Sequence, residues 1–362
     1  MLETFFIYNT SLFFSVFFAW VANNCKAVLV RNIFVILSFS ILFFLAAIRD
    51  NVGADFENYI EIYNTIEQFG IDKLEPIFYS INFLLRLFDI HYQYLFVIIA
   101  FISLFFVFKT GLRIKHLDLV VLLYVIIFYL NSLNALRQET AVTILMYSII
   151  CLINRENKKF ILFVFLASGF HYVSLLFLPL VILIRFNYNF IILTFTLVSS
   201  FILLKFNFVE ILLNTGILVG TKYQVYLFMD IYNKGTEVGS GLGMISRYFI
   251  VFPLLFLSKA YYYKQDILLR NISLYLCSLL LVSVSISMNF YVFHRLVSLF
   301  SIGLLFAVIT IYRSRLNKVI KFGIISISIL LSLTFFELDI QLSQKSLGEN
   351  KAISPYTTIF RE

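Results

Sequence analysis

Apolar runs of membrane-crossing length follow one another along the chain, separated only by short polar breaks. A helix needs about 20 consecutive apolar residues to cross the hydrocarbon core, and no irregular backbone survives there facing lipid. The pattern therefore predicts an all-α polytopic membrane protein. With 61% hydrophobic and 13% charged residues in 362, no stretch has the composition of a soluble domain, so residues 1–362 read as a single integral membrane domain. The first run, "TFFIYNTSLFFSVFFAWVA", has Glu3 ahead of it and no small-residue cleavage site behind it, which predicts an uncleaved span. Cys25, Cys151 and Cys277 are scattered without metal spacing, so neither disulfide nor metal is expected. The net charge of +8 lacks the basic domain that nucleic acid would require. It suits cytoplasmic loops and an anionic lipid substrate.

Lys and Arg concentrate in "NRENKKF" (154–160), "KAYYYK" (259–264) and "YRSRLNK" (312–318), which places these loops on the cytoplasmic side. Counting outward from them puts "SMNFYVFHR" outside, "NSLNALRQE" outside and "KTGLRIKH" (109–116) inside. Two segments resist full crossings. Between "NRENKKF" and Arg185 lie about 25 apolar residues, too few for two spans, which predicts a hairpin of two short helices with "SGFHYVS" at its apex. "PIFYSINFLLRLFDI" (76–90) is flanked by outside loops and reads as re-entrant or interfacial. Irregular backbone at membrane depth implies a cavity, here open to the outside. The expected total is about twelve transmembrane helices plus these re-entrant or interfacial helices, with both termini outside. The main periplasmic loops are 49–75 and 205–243, and 337–362 forms a periplasmic tail. "DFENYIEIYNTIEQFG" reads as a surface helix, with Asp55, Tyr59, Ile62, Tyr63 and Ile66 on one side.

Ionisable groups beside spans are functional by default. Arg49, Asp55, Glu75, Arg137, His171, Arg247, His294 and Arg295 all fall at the outer face by this topology. For Arg137, Arg247 and Arg295 the competing reading is an arginine snorkelling to the interface. The functional one is a planar fork of donors for phosphate oxygens. His171, at the hairpin apex, is either a hydrogen-bonded helix contact or a general base, imidazole being suited to take a proton near neutral pH. Asp55 is the competing base, or the group that orients the histidine. Gly53 marks a turn, and Glu75-Pro76 marks a helix start with proline at the first position. The aromatic load is 19%. Most of it faces lipid or packs, though Tyr59, Tyr63, Tyr223 and Tyr226 can stack on sugar rings. No Ser-His-Asp set, Walker loop, HExxH or Gly-rich dinucleotide turn is present.

Five motifs in order, "IRDNVGADFENYIEIY", "LEPIFYSINFLL", "NALRQETAV", "FHYVSLLFLPL" and "PYTTIF", resemble the EpsG-like family of bacterial polysaccharide polymerases, related in role to the Wzy O-antigen polymerases. The likeness runs over nearly the whole chain. It implies a type C glycosyltransferase-like fold and an inner-membrane enzyme that joins undecaprenyl-diphosphate-linked repeat units at the periplasmic face. It also implies that Arg49, Asp55, Glu75, Arg137, His171 and Arg295 occupy motif positions. On this reading His171 or Asp55 takes a proton from the acceptor hydroxyl. Arg49, Arg137, Arg247 and Arg295, with Glu75, His294 and Tyr59, hold diphosphate and sugar. Arginine can do the work of a divalent cation and no DxD motif is present, so no metal or other cofactor is expected. The partners are the lipid-linked donor and acceptor, membrane lipid and a chain-length regulator. A flippase for lipid-linked oligosaccharide, an O-antigen ligase and a membrane acyltransferase are the alternatives. Transporters usually carry internal repeats around a midplane site, and none is evident here.

Overall fold

The computed structural model describes residues 2–68, 73–205, 242–257, 266–289, 293–343 and 352–360. Among these the regular structure is helical, and eight helices are long and apolar enough to cross a membrane. The sequence-based total of about twelve depends further on shorter helices and on 206–241 and 258–265, which lie outside the described residues. Tyr223, Tyr226, most of the 205–243 loop and "KAYYYK" lie outside them too.

The chain divides into two compact units, Met1–Pro179 with Ser332–Glu362, and Leu180–Leu331. In the first, α1 (Leu2–Asn24) packs on α2 (Val28–Ala47) and on α6 (Leu117–Asn134), while α5 (Gln93–Ile114) packs on α2, α6 and α7 (Leu136–Ile153). The central helix is α7, 89% of whose apolar window is buried, against 17% for α2. The α2 surface left open is apolar, as a lipid-facing helix requires. Within α6 the residues Val125–Tyr129 form a π-helical turn, a device often found beside functional sites.

The segments between the long helices fold as short pieces. Asp50–Asp55 turns into α3 (Phe56–Asn64), and Gly53 takes φ +107 with Leu133 O only 2.3 Å from where a Cβ would sit. Only glycine fits there. Pro76 opens α4 (Pro76–Leu87), twelve residues long, so about 18 Å at 1.5 Å per residue, short of the ~30 Å hydrocarbon core. α8 (Asn157–Ser168) is equally short, and after a turn at Gly169–His171 the chain continues as a 3-10 helix, Tyr172–Phe177. The segment between "NRENKKF" and Arg185 is thus made of short pieces, with His171 at their turn.

The tail does not extend freely. Residues 352–360 return to the loop after α2: Asp50 N donates to Thr357 O at 3.0 Å, Ile359 N to Ile48 O at 3.0 Å, and Gly53 N to Ala352 O at 2.9 Å. Tyr8 Oη donates to Ile353 O at 3.0 Å and Tyr356 Oη to Leu45 O at 2.8 Å. The tail thus acts as a strap across the ends of α1 and α2. The sequence places it outside as a tail; its packing against a loop some 300 residues earlier in the chain is visible only in the fold.

In the second unit α9 (Phe190–Lys205) and α10 (Leu242–Leu257) pack on α11 (Ile267–Asn289), which lies against α12 (His294–Arg313), interrupted at Ser301. A Cβ on Gly303 would lie 2.9 Å from Cys277 N, so the two backbones are in close approach. Ser273 with Thr310 (2.8 Å) and Tyr188 with Ser278 (2.6 Å) join elements through hydroxyls, as membrane helices commonly do. The last helix, α13 (Lys318–Leu342), begins in the second unit and ends in the first.

Candidate functional site

Glu75 is the hub of the first unit's polar residues. Its extended backbone (φ −67, ψ 138) follows from the proline after it, which excludes the helical region for the preceding residue. At the start of α4 the amides of Ile77 and Phe78 have no partner within the helix. Both donate to Gly169 O, at 2.9 and 3.2 Å. The hairpin turn is thereby docked on the end of α4, and Gly169 permits the approach, since a Cβ there would lie 2.4 Å from the Ile77 side chain. His171, two residues on, is delivered to Glu75.

The carboxylate is shared. Its Oε2 accepts from Arg137 Nη1 at 2.7 Å and its Oε1 faces His171 Nδ1 at 3.0 Å. The Glu75 side chain is 8% exposed and that of His171 14%. Arg137, at the start of α7, lies with its guanidinium 5.5 Å from the Phe78 ring centre and against the Tyr59 hydroxyl. Burial pushes the Tyr59 phenol up to about 12, so it is a neutral hydrogen-bonding group at physiological pH. Burial alone would raise the Glu75 carboxyl, but the hydrogen bond with His171 and the Arg137 charge overcome it and hold Glu75 below the usual carboxylate range. Glu75 is therefore an ionised acceptor, and its neighbour Nδ1 is the nitrogen that carries the proton of a neutral imidazole. That leaves Nε2 with a lone pair, and Nε2 is buried with no hydrogen-bond partner. A carboxylate–imidazole pair with an open second ring nitrogen is the arrangement of a general base held in one tautomer.

The other sequence-derived residues fall in different places. Asp55 is half-buried, its amide donating to Asn134 Oδ1 at 3.1 Å and its carboxylate accepting from Asn58 Nδ2 at 3.4 Å. The carboxylate hydrogen-bonded to His171 is Glu75, a residue whose simplest reading in the sequence is a helix start. Arg247, His294 and Arg295 belong to the second unit. Arg247 sits within α10, its side chain outside the described residues, while at the start of α12 His294 is half-buried and Arg295 exposed.

Arg49 is enclosed, at 2% exposure, beneath the strap. Its backbone bridges to Thr358, its guanidinium lies 5.1 Å from the Phe96 ring centre, and Nε and Nη2 have no hydrogen-bond partner. Burial lowers this guanidinium to about 10, opposed by the tyrosines Tyr129, Tyr8, Tyr59 and Tyr356, so it remains a cation at neutral pH. A cation–π contact contributes about 0.5–2 kcal/mol, whereas removing an ion from water costs several kcal/mol. The aromatic cage alone does not offset that cost.

A sequence model of the EpsG family matches residues 32–358. The chain belongs to the EpsG family. This is a polysaccharide-polymerase-like family, and the match spans every residue of the Glu75 cluster. No curated protein and no solved structure matches. The EpsG-family chain thus carries a buried carboxylate–histidine–arginine cluster that the resemblance in motif order could place only residue by residue. Phe78, Gly169 and Asn134, which build the site, carry no separate signal in the sequence beyond their positions in or beside the quoted motifs.

Proposed function

We propose that this EpsG-family protein polymerises undecaprenyl-diphosphate-linked oligosaccharide repeat units into O-antigen or exopolysaccharide at the periplasmic face of the bacterial inner membrane, by inverting glycosyl transfer. The observation that carries the reading is His171, whose Nδ1 faces Glu75 at 3.0 Å while Nε2 is left buried and unpartnered. In the step proposed, Nε2 takes the proton of an acceptor sugar hydroxyl as its oxygen attacks the anomeric carbon of the donor. The bond from that carbon to the diphosphate oxygen breaks, and its electron pair leaves on the diphosphate. Glu75 fixes the tautomer and stabilises the imidazolium that forms. Arg137, whose guanidinium has donors beyond the one given to Glu75, stabilises the charge gathering on the leaving group. Arg247, Arg295 and His294 are proposed as diphosphate- and sugar-binding residues of the second unit, and Asp55 as an acceptor-side residue of the first. No metal enters this scheme.

Deleting the gene in its host and separating the surface polysaccharide on a gel tests the reading. A single repeat unit left on the lipid core is the expected result; a complete absence of repeat units would instead indicate a flippase or a ligase. The base is assigned by a second comparison. His171→Gln should stop chain growth with lipid-linked donor still bound, and wild-type growth in that variant with loss in Asp55→Asn would move the role to Asp55.

A further inference from the structure

Arg49 is a buried positive charge to which the described residues supply no negative partner. Among the described residues no carboxylate pairs with it, and the groups around it are phenols. Three of these, Tyr8, Tyr129 and Tyr356, donate their protons to the backbone carbonyls of Ile353, Leu42 and Leu45. They therefore offer lone pairs and dipoles but no net charge. The guanidinium also lines a small cavity walled by Ser103, Tyr124, Tyr129 and Ser132 on the polar side and Phe96 on the apolar one. Tyr124 precedes the π-helical turn of α6 and Tyr129 ends it. The space suffices for about one water-sized occupant, far less than a sugar phosphate requires. The strap residues Ile353, Ser354 and Tyr356, which neighbour Arg49 through the bridge of its backbone to Thr358, are themselves buried at 0–5% exposure.

We propose that the Arg49 chamber is a binding site for one monatomic anion of the halide class, which neutralises the buried guanidinium and is held by the unpartnered Nε and Nη2 donors. Water also fits, but it brings only a dipole to a charge that burial leaves unscreened. A diphosphate does not fit the space. The inference does not rest on the polymerase reading, because the site is read through binding and stability and not through turnover.

The test uses the full chain purified in detergent, with thermal unfolding followed in sodium gluconate and in mixtures with sodium chloride or bromide at constant ionic strength. A saturating rise in Tm of roughly a few degrees is expected with either halide, and Arg49→Gln should unfold at a Tm independent of the anion. Should that variant fail to fold, bromide binding to the unaltered protein, by equilibrium dialysis, should saturate at one ion per chain. A Tm that ignores halide, with no saturable bromide binding, overturns the proposal and assigns the chamber to water. A larger rise with inorganic phosphate or pyrophosphate than with chloride also overturns it, returning Arg49 to the diphosphate contacts.

Discussion

Beside each end of α7 an arginine pairs with a glutamate, Arg137 of α7 itself at one end and Arg113 from the last turn of α5 at the other, and the pairs are built differently. At one end Arg137 meets Glu75, whose side chain is 8% exposed and is shared with His171. At the other, Arg113 pairs with Glu156, 28% exposed, donates to Tyr147 Oη at 2.7 Å, and has Lys159 bonded to the same carboxylate at 3.1 Å. Lys109 adds a further cation 4.7 Å from the Tyr147 ring centre. The second cluster pairs its half-buried carboxylate with two cations, as in an interfacial anchor. The first is desolvated, short of cations, and leaves a ring nitrogen with nothing to bind. Polar groups buried with an unmet hydrogen bond are where chemistry is to be sought. The comparison thus separates anchoring charge from working charge at the two ends of one helix.

The largest expected effect falls on the open nitrogen. His171→Ala should reduce polymer formation by roughly 10²- to 10⁴-fold, the contribution typical of a general base, with membrane abundance retained. Equal polymer from wild type and variant in a reconstituted assay with lipid-linked donor would reduce His171 to a packing residue and erase the distinction between the two ends.

Arg137→Lys follows. Lysine keeps the charge but loses the planar fork that reaches both Glu75 and the Tyr59 side. A hydrogen bond to a charged group is worth about 1.5–3 kcal/mol, so turnover should fall about 10- to 100-fold. An Arg137→Lys protein with wild-type turnover would place Arg137 among the snorkelling arginines, beside Arg113.

Much of this contrast was legible in the sequence, and the illegible part has a physical reason. The shortness of the segment after "NRENKKF" placed His171 at a turn, because bilayer thickness sets a length that composition can be measured against. Positive loops separated the Arg113 end from the Arg137 end. The residues around Glu75 mark a helix start, since proline at the first helical position forces the preceding residue to be extended, and the family resemblance adds a place among the substrate contacts; neither pairs it with His171. Its role comes from partners 62 and 96 residues away, which no local pattern encodes. Arg49 likewise reads as an outer-face diphosphate ligand, with nothing local to indicate that it is enclosed. What encloses it is a strap from the far end of the chain, and "PYTTIF" signalled a motif there without its docking place.

Glu75→Gln sharpens the comparison through pH. The folded carboxyl titrates below its unfolded value because His171 and Arg137 outweigh the opposing effect of burial. The stability it adds is therefore full above the ordinary glutamate range, near ~4.3, and is lost as pH falls through the lower folded value. In Glu75→Gln the Tm should be lower at neutral pH and should decline less from pH 6 toward pH 3 than that of the wild type. Parallel declines would mean that Glu75 is not ionised in the fold.

The smallest effect is expected at the other end of the helix. Hydrogen bonding from Lys159 comes first among the interactions that hold the Glu156 carboxyl below the usual range, but the group stands in a solvated, salt-accessible setting where ion pairs contribute little. Arg113 keeps its place there through more than one contact, including the Tyr147 hydroxyl and ring, so losing one partner leaves others. Glu156→Gln should leave polymer yield unchanged and shift Tm by no more than the scatter between preparations, at low and at high salt alike. Arg113→Lys, which preserves the positive charge of its loop, should preserve orientation, read by protection of a cysteine placed at Lys158 from an impermeant thiol reagent in spheroplasts. Labelling of that cysteine in the otherwise unaltered chain would reverse the assignment of sides. Loss of polymer in Glu156→Gln would show that a half-buried, well-paired carboxylate matters as much as the buried one, and the contrast between the two ends would no longer identify the site.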